Sequence, residues 1–229
     1  MNYNTILFDI DDTLLDFKAD EEQALARLFA LTPITLTPEV KAKYSKFNQN
    51  LWQKLEQGEI TREKLLSTRF NIFFKQEFDL DISDLNLASR YLEFLSEGHD
   101  EMQHAHQLIT SLAQNPNLRL EIATNGVRAT QIKRLRDADL IEYFDHLFIS
   151  EEMNANKPQV EFFNYIENHL ENYDSNQTLI VGDSLTSDIQ GGNNAHVTTV
   201  WYNPNHQSNS GTAKPDYEID DLLDLQKII

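Results

Sequence analysis

Asp9 and Asp11 stand two residues apart at the end of an apolar run, with Asp12 beside them and Thr13 following. Carboxylates crowded at such a place repel one another. They make sense around a cation, or where one acid must hold a proton in order to give it away. Three chemistries fit this stretch alone. The plainest is turn formation and helix capping by Asp and Thr. A calcium loop is the second; counted from Asp9 it wants Gly where Leu14 stands, and a helix upstream where the run reads as a strand. The third is phosphoryl transfer to an aspartate nucleophile.

The elements that would position these residues decide among the three. Residues 5–10 are β-branched and aromatic and read as a buried strand. From residue 100 onward strands and helices alternate. Strands are expected at 118–124, 146–149, 178–181 and 197–201. Helices are expected at 101–113, 131–138, 188–194, from Pro158 to about 172, and from about 220. Residues 203–215 read as a polar surface loop. Such alternation means a parallel, doubly wound α/β sheet, whose ligands bind beyond the carboxyl ends of the strands. Asp9, Thr124 and Asp183 each fall at such an end, and Lys157 lies in a loop after one. Four polar residues far apart in sequence thus converge on one rim.

Each of the four has work in cleaving a phosphate monoester, a bond that is very stable in water. Asp9 could attack phosphorus, with Mg²⁺ shielding its charge. Asp11 could protonate the leaving oxygen and then deprotonate the attacking water. The Thr124 hydroxyl and the Asn125 and Gly126 backbone N–H groups could hold phosphate oxygens, while Lys157 neutralises developing charge. Asp183 would complete an all-oxygen magnesium site.

Between the first strand and this alternating region, residues 17–97 carry helical periodicity almost alone. Leu25, Leu28 and Phe29 share one face, Val40, Tyr44, Phe47 and Leu51 another, and Leu66, Phe70, Phe73 or Phe74, and Phe78 a third. Four or five helices are expected there, forming an insert above the same rim that could act as a lid. The domains expected are therefore a catalytic core from 1–16 and 98–229, and an α-helical cap from 17–97.

Composition sets the bounds. The chain has 229 residues, is 40% hydrophobic and 24% charged, and carries a formal net charge of -18. A surface that negative repels nucleic acid polymers and anionic membranes, though not a small anion met by its own pocket of cations. No apolar run approaches ~18 residues. No export pattern precedes Asp9, and there are no cysteines, so thiol catalysis and cysteine-held metals are excluded and the cytoplasm is the expected compartment. Neither a Walker A sequence nor a Gly-x-Gly-x-x-Gly fingerprint is present.

Taken together, Asp9-x-Asp11-x-Thr13, Thr124-Asn125-Gly126, Lys157-Pro158 and Gly182-Asp183-Ser184-x4-Asp188 resemble the four motifs of the haloacid dehalogenase-like (HAD) superfamily, in its usual order. The resemblance covers all of the chain outside the insert. It implies a Rossmann-like HAD core, Asp9 as nucleophile and Asp11 as acid/base. It also implies Mg²⁺ held by Asp9, the Asp11 carbonyl and Asp183, with Asp188 supporting from behind or, less often, ligating. The insert resembles the α-helical cap that the family places after its first motif. Leu51-Trp52, Gly58-x-Ile60-Thr61, Arg69-Phe70, Ile149-Ser150-Glu151-Glu152 and Ser187-Asp188-Ile189-x-Gly191-Gly192 further resemble its pyrimidine 5'-nucleotidases. Those enzymes act on nucleoside monophosphates such as dUMP, dTMP and UMP. His196 departs from the pattern, since Gly is expected after Asn194-Ala195.

Rival readings differ at named residues. Dehalogenases of the same fold need no acid two residues after the nucleophile, so Asp11 favours a phosphatase. Phosphatases for phosphoglycolate or sugar phosphates, and sugar-phosphate mutases, share all four motifs and differ in the cap. A response-regulator receiver domain, a phospho-accepting signalling module, also uses an Asp, a Thr and a Lys-Pro. Its extra acids precede the phosphorylated Asp, however, whereas Asp183 follows Lys157. Trp52 could stack on a base or simply pack. His99, His104 and His106 read as a solvated face, because His104 and His106 would point apart on a helix.

Overall fold

The computed structural model describes residues 3–209 and 211–229, and the chain falls into two compact units. One comprises residues up to Phe17 together with His99–Ile229; the other is Lys18–Gly98. After β1 (Thr5–Phe8) the chain enters the smaller unit through α1 (Phe17–Phe29), followed by α2 (Pro38–Glu56), α3 (Arg62–Phe78) and α4 (Leu87–Leu95). The helix starts are written in the sequence. Thr37 and Thr61 sit extended, and each side chain accepts a hydrogen bond from the backbone N–H three residues on, Val40 at 3.3 Å and Lys64 at 3.2 Å. Their apolar stripes close on an aromatic core in which Tyr44 stacks on Phe70 and meets Phe73 edge-on, both with ring centroids 5.3 Å apart.

In the larger unit the chain continues through α5 (Ala105–Leu112), β2 (Arg119–Thr124), α6 (Arg128–Asp137), β3 (His146–Ile149), α7 (Ser150–Met153) and α8 (Val160–His169). It ends with β4 (Thr178–Gly182), α9 (Gln190–Ala195), β5 (Thr198–Tyr202) and β6 (Tyr217–Ile219). Among the described residues the strands form one six-stranded sheet, ordered β3-β2-β1-β4-β5-β6, with every neighbouring pair parallel. Both faces of β1 are buried, as a central parallel strand requires. Ile6 and Phe8 pack with Leu108, Ile109 and Leu135 on one side, while Leu7 packs with Phe162, Phe163 and Ile166 on the other. The strand order reverses between β1 and β4, so the crevice at their carboxyl ends is the place where this architecture binds ligands.

Several boundaries depart from the sequence expectation for local reasons. The helix expected from 101 begins at Ala105, because Glu101 pairs with Leu15 in an antiparallel bridge and His104 takes a left-handed φ of 65°. Pro158 lies in the turn before α8 and is not its first residue. The helix expected at 188–194 opens with a π-helical turn, Leu185–Ile189, that swings Asp188 inward before α9 starts. β6 follows the polar loop of 203–215, in which Ser210 lies outside the described residues. The expected terminal helix is a 3₁₀ helix, Leu222–Lys227. No helix among the described residues is long and apolar enough to cross a membrane.

His196 ends α9 in the left-handed region, with φ 56° and ψ 36°, which is why Gly is the expected residue there. The side chain is exposed. The variant His196→Gly is expected to raise stability by about 1 kcal/mol, the left-handed cost of a side chain less the extra freedom of an unfolded Gly. Urea unfolding checks this; a loss of stability would contradict it.

Candidate active site

The strand register brings the motifs together. Phe8 is level with Ile122 on one side and Val181 on the other, so Asp9 emerges beside the ends of β2 and β4. The Asp9 N–H donates to the Val181 carbonyl at 3.0 Å, which fixes the backbone as it leaves the sheet. Lys157 reaches in from the loop before α8 and is 1% exposed. Its ammonium donates to Asp9 Oδ1 at 2.7 Å, to Asp188 Oδ1 at 2.6 Å and to the Ala123 carbonyl at 2.5 Å. Three donors and three acceptors leave that ammonium fully used.

Asp183 and Asp188 complete the cluster. The carboxylates of Asp9, Asp183 and Asp188 each offer an oxygen within 4.8 Å of the others, the one such acidic or histidine group among the described residues. The Asp183 backbone is pinned on both sides. Its N–H donates to Thr13 Oγ1 at 3.1 Å, and its carbonyl accepts from Trp201 Nε1 at 2.8 Å. Gly182 is required by close approach, since a Cβ there would overlap the Asp188 carboxyl. Asp188 in turn accepts the Ser184 N–H at 3.0 Å.

Asp9 and Asp188 thus share one ammonium, with the Asp183 carboxylate beside them. Burial, more than any other cause, pushes the Asp9 carboxyl up to about 8; Lys157 opposes the rise, and Asp188 and Asp11 add to it. Burial alone would pull the Lys157 ammonium down, but the Asp188 and Asp9 carboxylates outweigh it and hold the group above its ordinary range. Burial and the neighbouring carboxylates therefore favour the protonated form of Asp9. Hard oxygen donors with excess negative charge fit a small divalent cation such as Mg²⁺, which would reverse the rise at Asp9.

Thr124, Asn125 and Gly126 form the neighbouring loop. The Gly126 N–H donates to Thr124 Oγ1 at 3.0 Å, so here it serves the threonine. Asn125 grips Lys157 from both sides. Its Oδ1 accepts the Lys157 N–H and its Nδ2 donates to the Lys157 carbonyl, both at 2.9 Å. This cross-brace imitates a two-bond strand pairing and is a role the motif alone does not announce.

Asp11 lies apart from the carboxylate trio. Gln131 Nε2 donates to its Oδ2 at 2.8 Å, and the Arg134 guanidinium donates to its Oδ1. Arg134 is wholly buried and also donates to Gln131 Oε1 at 2.9 Å. Gln131 and Arg134 are the residues that motif reading missed. The available signal was a glutamine and an arginine three apart on one helix face, which places both on the same side of α6. Trp52 belongs to the smaller unit, half-buried on α2, with the Arg62 guanidinium 5.9 Å from its ring centroid. The histidines hold no metal cluster among the described residues; His104 pairs with Asp221 at 2.8 Å and His106 with Glu101 at 3.4 Å.

Comparison with known proteins gives the family. Residues 3–196 fit the family model of haloacid dehalogenase-like hydrolases. The chain is 40% identical to the pyrimidine 5'-nucleotidase PynA of Streptococcus pneumoniae, over 98% of this chain and 95% of that one. It is 31% identical to the pyrimidine 5'-nucleotidase YjjG of Escherichia coli, over 100% and 99%. A crystal structure of Bacillus subtilis YfnB bound to magnesium, in which interdomain movement is described, superposes with a TM-score of 0.93 at 42% identity, covering 100% of this chain and 99% of that one. The family match, together with relatives alike over their whole length, shows that the chain belongs to the haloacid dehalogenase-like hydrolases.

Proposed function

We propose that this enzyme hydrolyses pyrimidine nucleoside 5'-monophosphates of the dUMP, dTMP and UMP type through an aspartyl-phosphate on Asp9. It is a phosphoric monoester hydrolase; the nucleotide, the aspartyl-phosphate route and the roles given to individual residues are the proposed parts. The observation that carries the reading is the Asp9–Lys157–Asp188 triad with Asp11 held separately by Gln131 and Arg134. One carboxylate is set for attack and another, two residues away, is kept for proton transfer. The pyrimidine assignment rests on PynA and YjjG, which are alike over nearly all of both chains.

In this reading an Asp9 carboxylate oxygen attacks phosphorus and the bond from phosphorus to the ester oxygen breaks. Asp11 gives that oxygen its proton. Asp11 then takes a proton from water, the water oxygen attacks the phosphoryl group, and phosphate leaves with Asp9 restored. Lys157, once it gives up one of its three present acceptors, and the Thr124 hydroxyl hold phosphate oxygens, and the Asn125 and Gly126 backbone N–H groups add donors once Gly126 turns from Thr124 to the substrate. Asp9, Asp183 and the Asp11 carbonyl would hold Mg²⁺ with Asp188 alongside, and the bound ion would shield the nucleophile from the phosphate's charge. Gln131 and Arg134 act as positioning residues that fix the Asp11 carboxylate. Residues 17–97 act as the cap domain, with Trp52 contributing to substrate choice. Interdomain movement described for YfnB supports a cap that moves.

Phosphate release with millimolar Mg²⁺ across dUMP, dTMP, UMP, AMP, phosphoglycolate, glucose 1-phosphate and p-nitrophenyl phosphate tests the reading. The pyrimidine nucleotides are expected to lead in kcat/KM by roughly ten-fold or more, a discrimination of about 1.4 kcal/mol. Preference for phosphoglycolate or a sugar phosphate would keep the chemistry and overturn the substrate.

A further inference from the structure

The helical unit holds a second buried polar constellation that the chemistry at Asp9 does not use. Glu21 on α1, Tyr44 and Asn48 on α2, Arg69 on α3 and Tyr91 on α4 all lie at or below 7% exposure. The links between them run in one direction. Tyr91 OH donates to Glu21 Oε1 at 3.0 Å, Asn48 Nδ2 donates to the same oxygen at 3.4 Å, and Arg69 Nη1 donates to Asn48 Oδ1 at 3.3 Å. The Arg69 guanidinium also lies over the Tyr91 ring at 4.3 Å and the Phe70 ring at 5.0 Å. A glutamate, an asparagine and an arginine have thus been drawn from three helices into an aromatic core.

The network stops short of satisfying itself. Two of its three bonds sit at the long end of hydrogen-bond range. Two of its donors, Tyr44 OH and Arg69 Nε, are buried with no hydrogen-bond partner among the described residues. An unmatched buried donor is costly, and native interiors leave few of them. Burial also holds the Tyr44 hydroxyl well above its ordinary titration range, so it stays a donor. The network around Arg134 is a useful contrast, because there Asp11 and Gln131 both take up guanidinium donors. In the helical unit two buried donors go unmatched, and a ligand bringing acceptors would take them up.

The position of the cluster along the chain adds to this. Glu21 is one helical turn into α1 from Phe17, and the preceding Asp20 lies so close to Gly98 that a Cβ there would overlap its carboxyl. Phe17 and Gly98 are where the chain crosses between the two units. Within the constellation Glu21 is thus the member nearest in sequence to that crossing, while Tyr44, Asn48, Arg69 and Tyr91 lie near the middles of their helices.

We propose that Glu21, Tyr44, Asn48 and Arg69 form a base-reading site for the imide edge of uracil or thymine. That edge presents an acceptor, a donor and an acceptor in a row. Arg69 and either Tyr44 OH or the Asn48 amide supply the two donors, and the Glu21 carboxylate accepts the central N3–H. The aromatic walls of Tyr44, Phe70 and Tyr91 suit a flat ring. Such a site rejects an analogue that lacks one matched group far more strongly than an apolar slot rejects a small change in size. This inference rests on the pyrimidine reading and assigns it to particular side chains.

The test uses the full-length enzyme with Mg²⁺ and three substrates: dUMP, N3-methyl-dUMP and ribose 5-phosphate. Methylation removes the central donor, and the third substrate removes the base. The parent is expected to prefer dUMP over both by on the order of ten-fold or more in kcat/KM. Glu21→Gln, Asn48→Asp and Arg69→Lys are expected to shrink that preference severalfold, with the loss mainly in KM. Tyr44→Phe keeps the ring and removes only the hydroxyl. It is expected to melt at the same temperature as the parent or higher, while losing part of the dUMP preference, a pairing that a purely structural hydroxyl would not produce. If the parent prefers dUMP but accepts N3-methyl-dUMP equally well, or if all four variants keep the parent's preference, the base-reading site is overturned and the nucleotidase reading stands. If the parent shows no preference for dUMP over ribose 5-phosphate, the nucleotidase reading falls and this inference falls with it.

Discussion

Asp9→Asn is expected to lower phosphate release by on the order of 10⁴-fold or more, as removal of a covalent nucleophile does, while leaving the fold no less stable when divalent metal is absent. The stability half follows from the charge balance. The Asp9 carboxyl rises from 3.8 to about 8 in the folded protein, chiefly through burial. Across that interval the native state binds more protons than the unfolded chain, so this group's contribution falls as pH rises through it. Asparagine carries no charge and removes that slope. In EDTA, the parent's melting temperature should therefore fall more than the variant's between pH 5 and pH 8. Saturating Mg²⁺ should close or reverse the gap, because the ion favours the parent's carboxylate. Turnover within about 100-fold of the parent would contradict a covalent route. A variant melting far below the parent at pH 8 would contradict the crowded-carboxylate account.

Lys157→Met should be damaging in both respects. It leaves Asp9 and Asp188 buried without the ammonium they share and strips the Ala123 carbonyl of its donor. Removing one partner of a buried ion pair costs about 3–5 kcal/mol, and losing a cation at the reacting phosphoryl group costs roughly 10²–10³-fold in kcat. Urea unfolding with and without Mg²⁺ separates the two effects. The stability deficit should shrink with Mg²⁺, which supplies positive charge to the same carboxylates. A deficit below about 1 kcal/mol would mean that Lys157 does not carry the charge balance described here.

How much of this was legible beforehand depended on what the signal was made of. β1, β2, β3, β4 and β5 were visible within a residue or two, because buried parallel strands are written as short apolar runs bounded by turn residues. β6 was not, since it has three residues and Tyr217 and Glu218 face solvent at the sheet edge. Asp9, Thr124 and Asp183 could be placed because each sits at or just after a strand end, and Lys157 because its loop follows one. The supporting contacts could not. That Asn125 braces the Lys157 backbone, and that Asp188 shares its ammonium, depend on how a loop and a π-helical turn fold back, which no periodicity encodes. Gln131 and Arg134 were hidden for a different reason: polar residues on an amphipathic helix read as its solvent face until tertiary contacts show otherwise.

The central place of β1 has a consequence for how the protein is made. β1 is the first of these six strands in the chain, yet its partners begin at Arg119 and Thr178. Residues 18–98 separate it from both and form a unit whose helices contact one another locally, so that unit can fold during synthesis while β1 waits. Until residue 182 has been translated, one edge of an apolar strand ending in Asp9 has no neighbour. Nascent chains halted between β2 and β4 would expose that edge to other chains. The strand that carries the proposed nucleophile thus precedes the other five in the chain, yet gains its second neighbour only with β4.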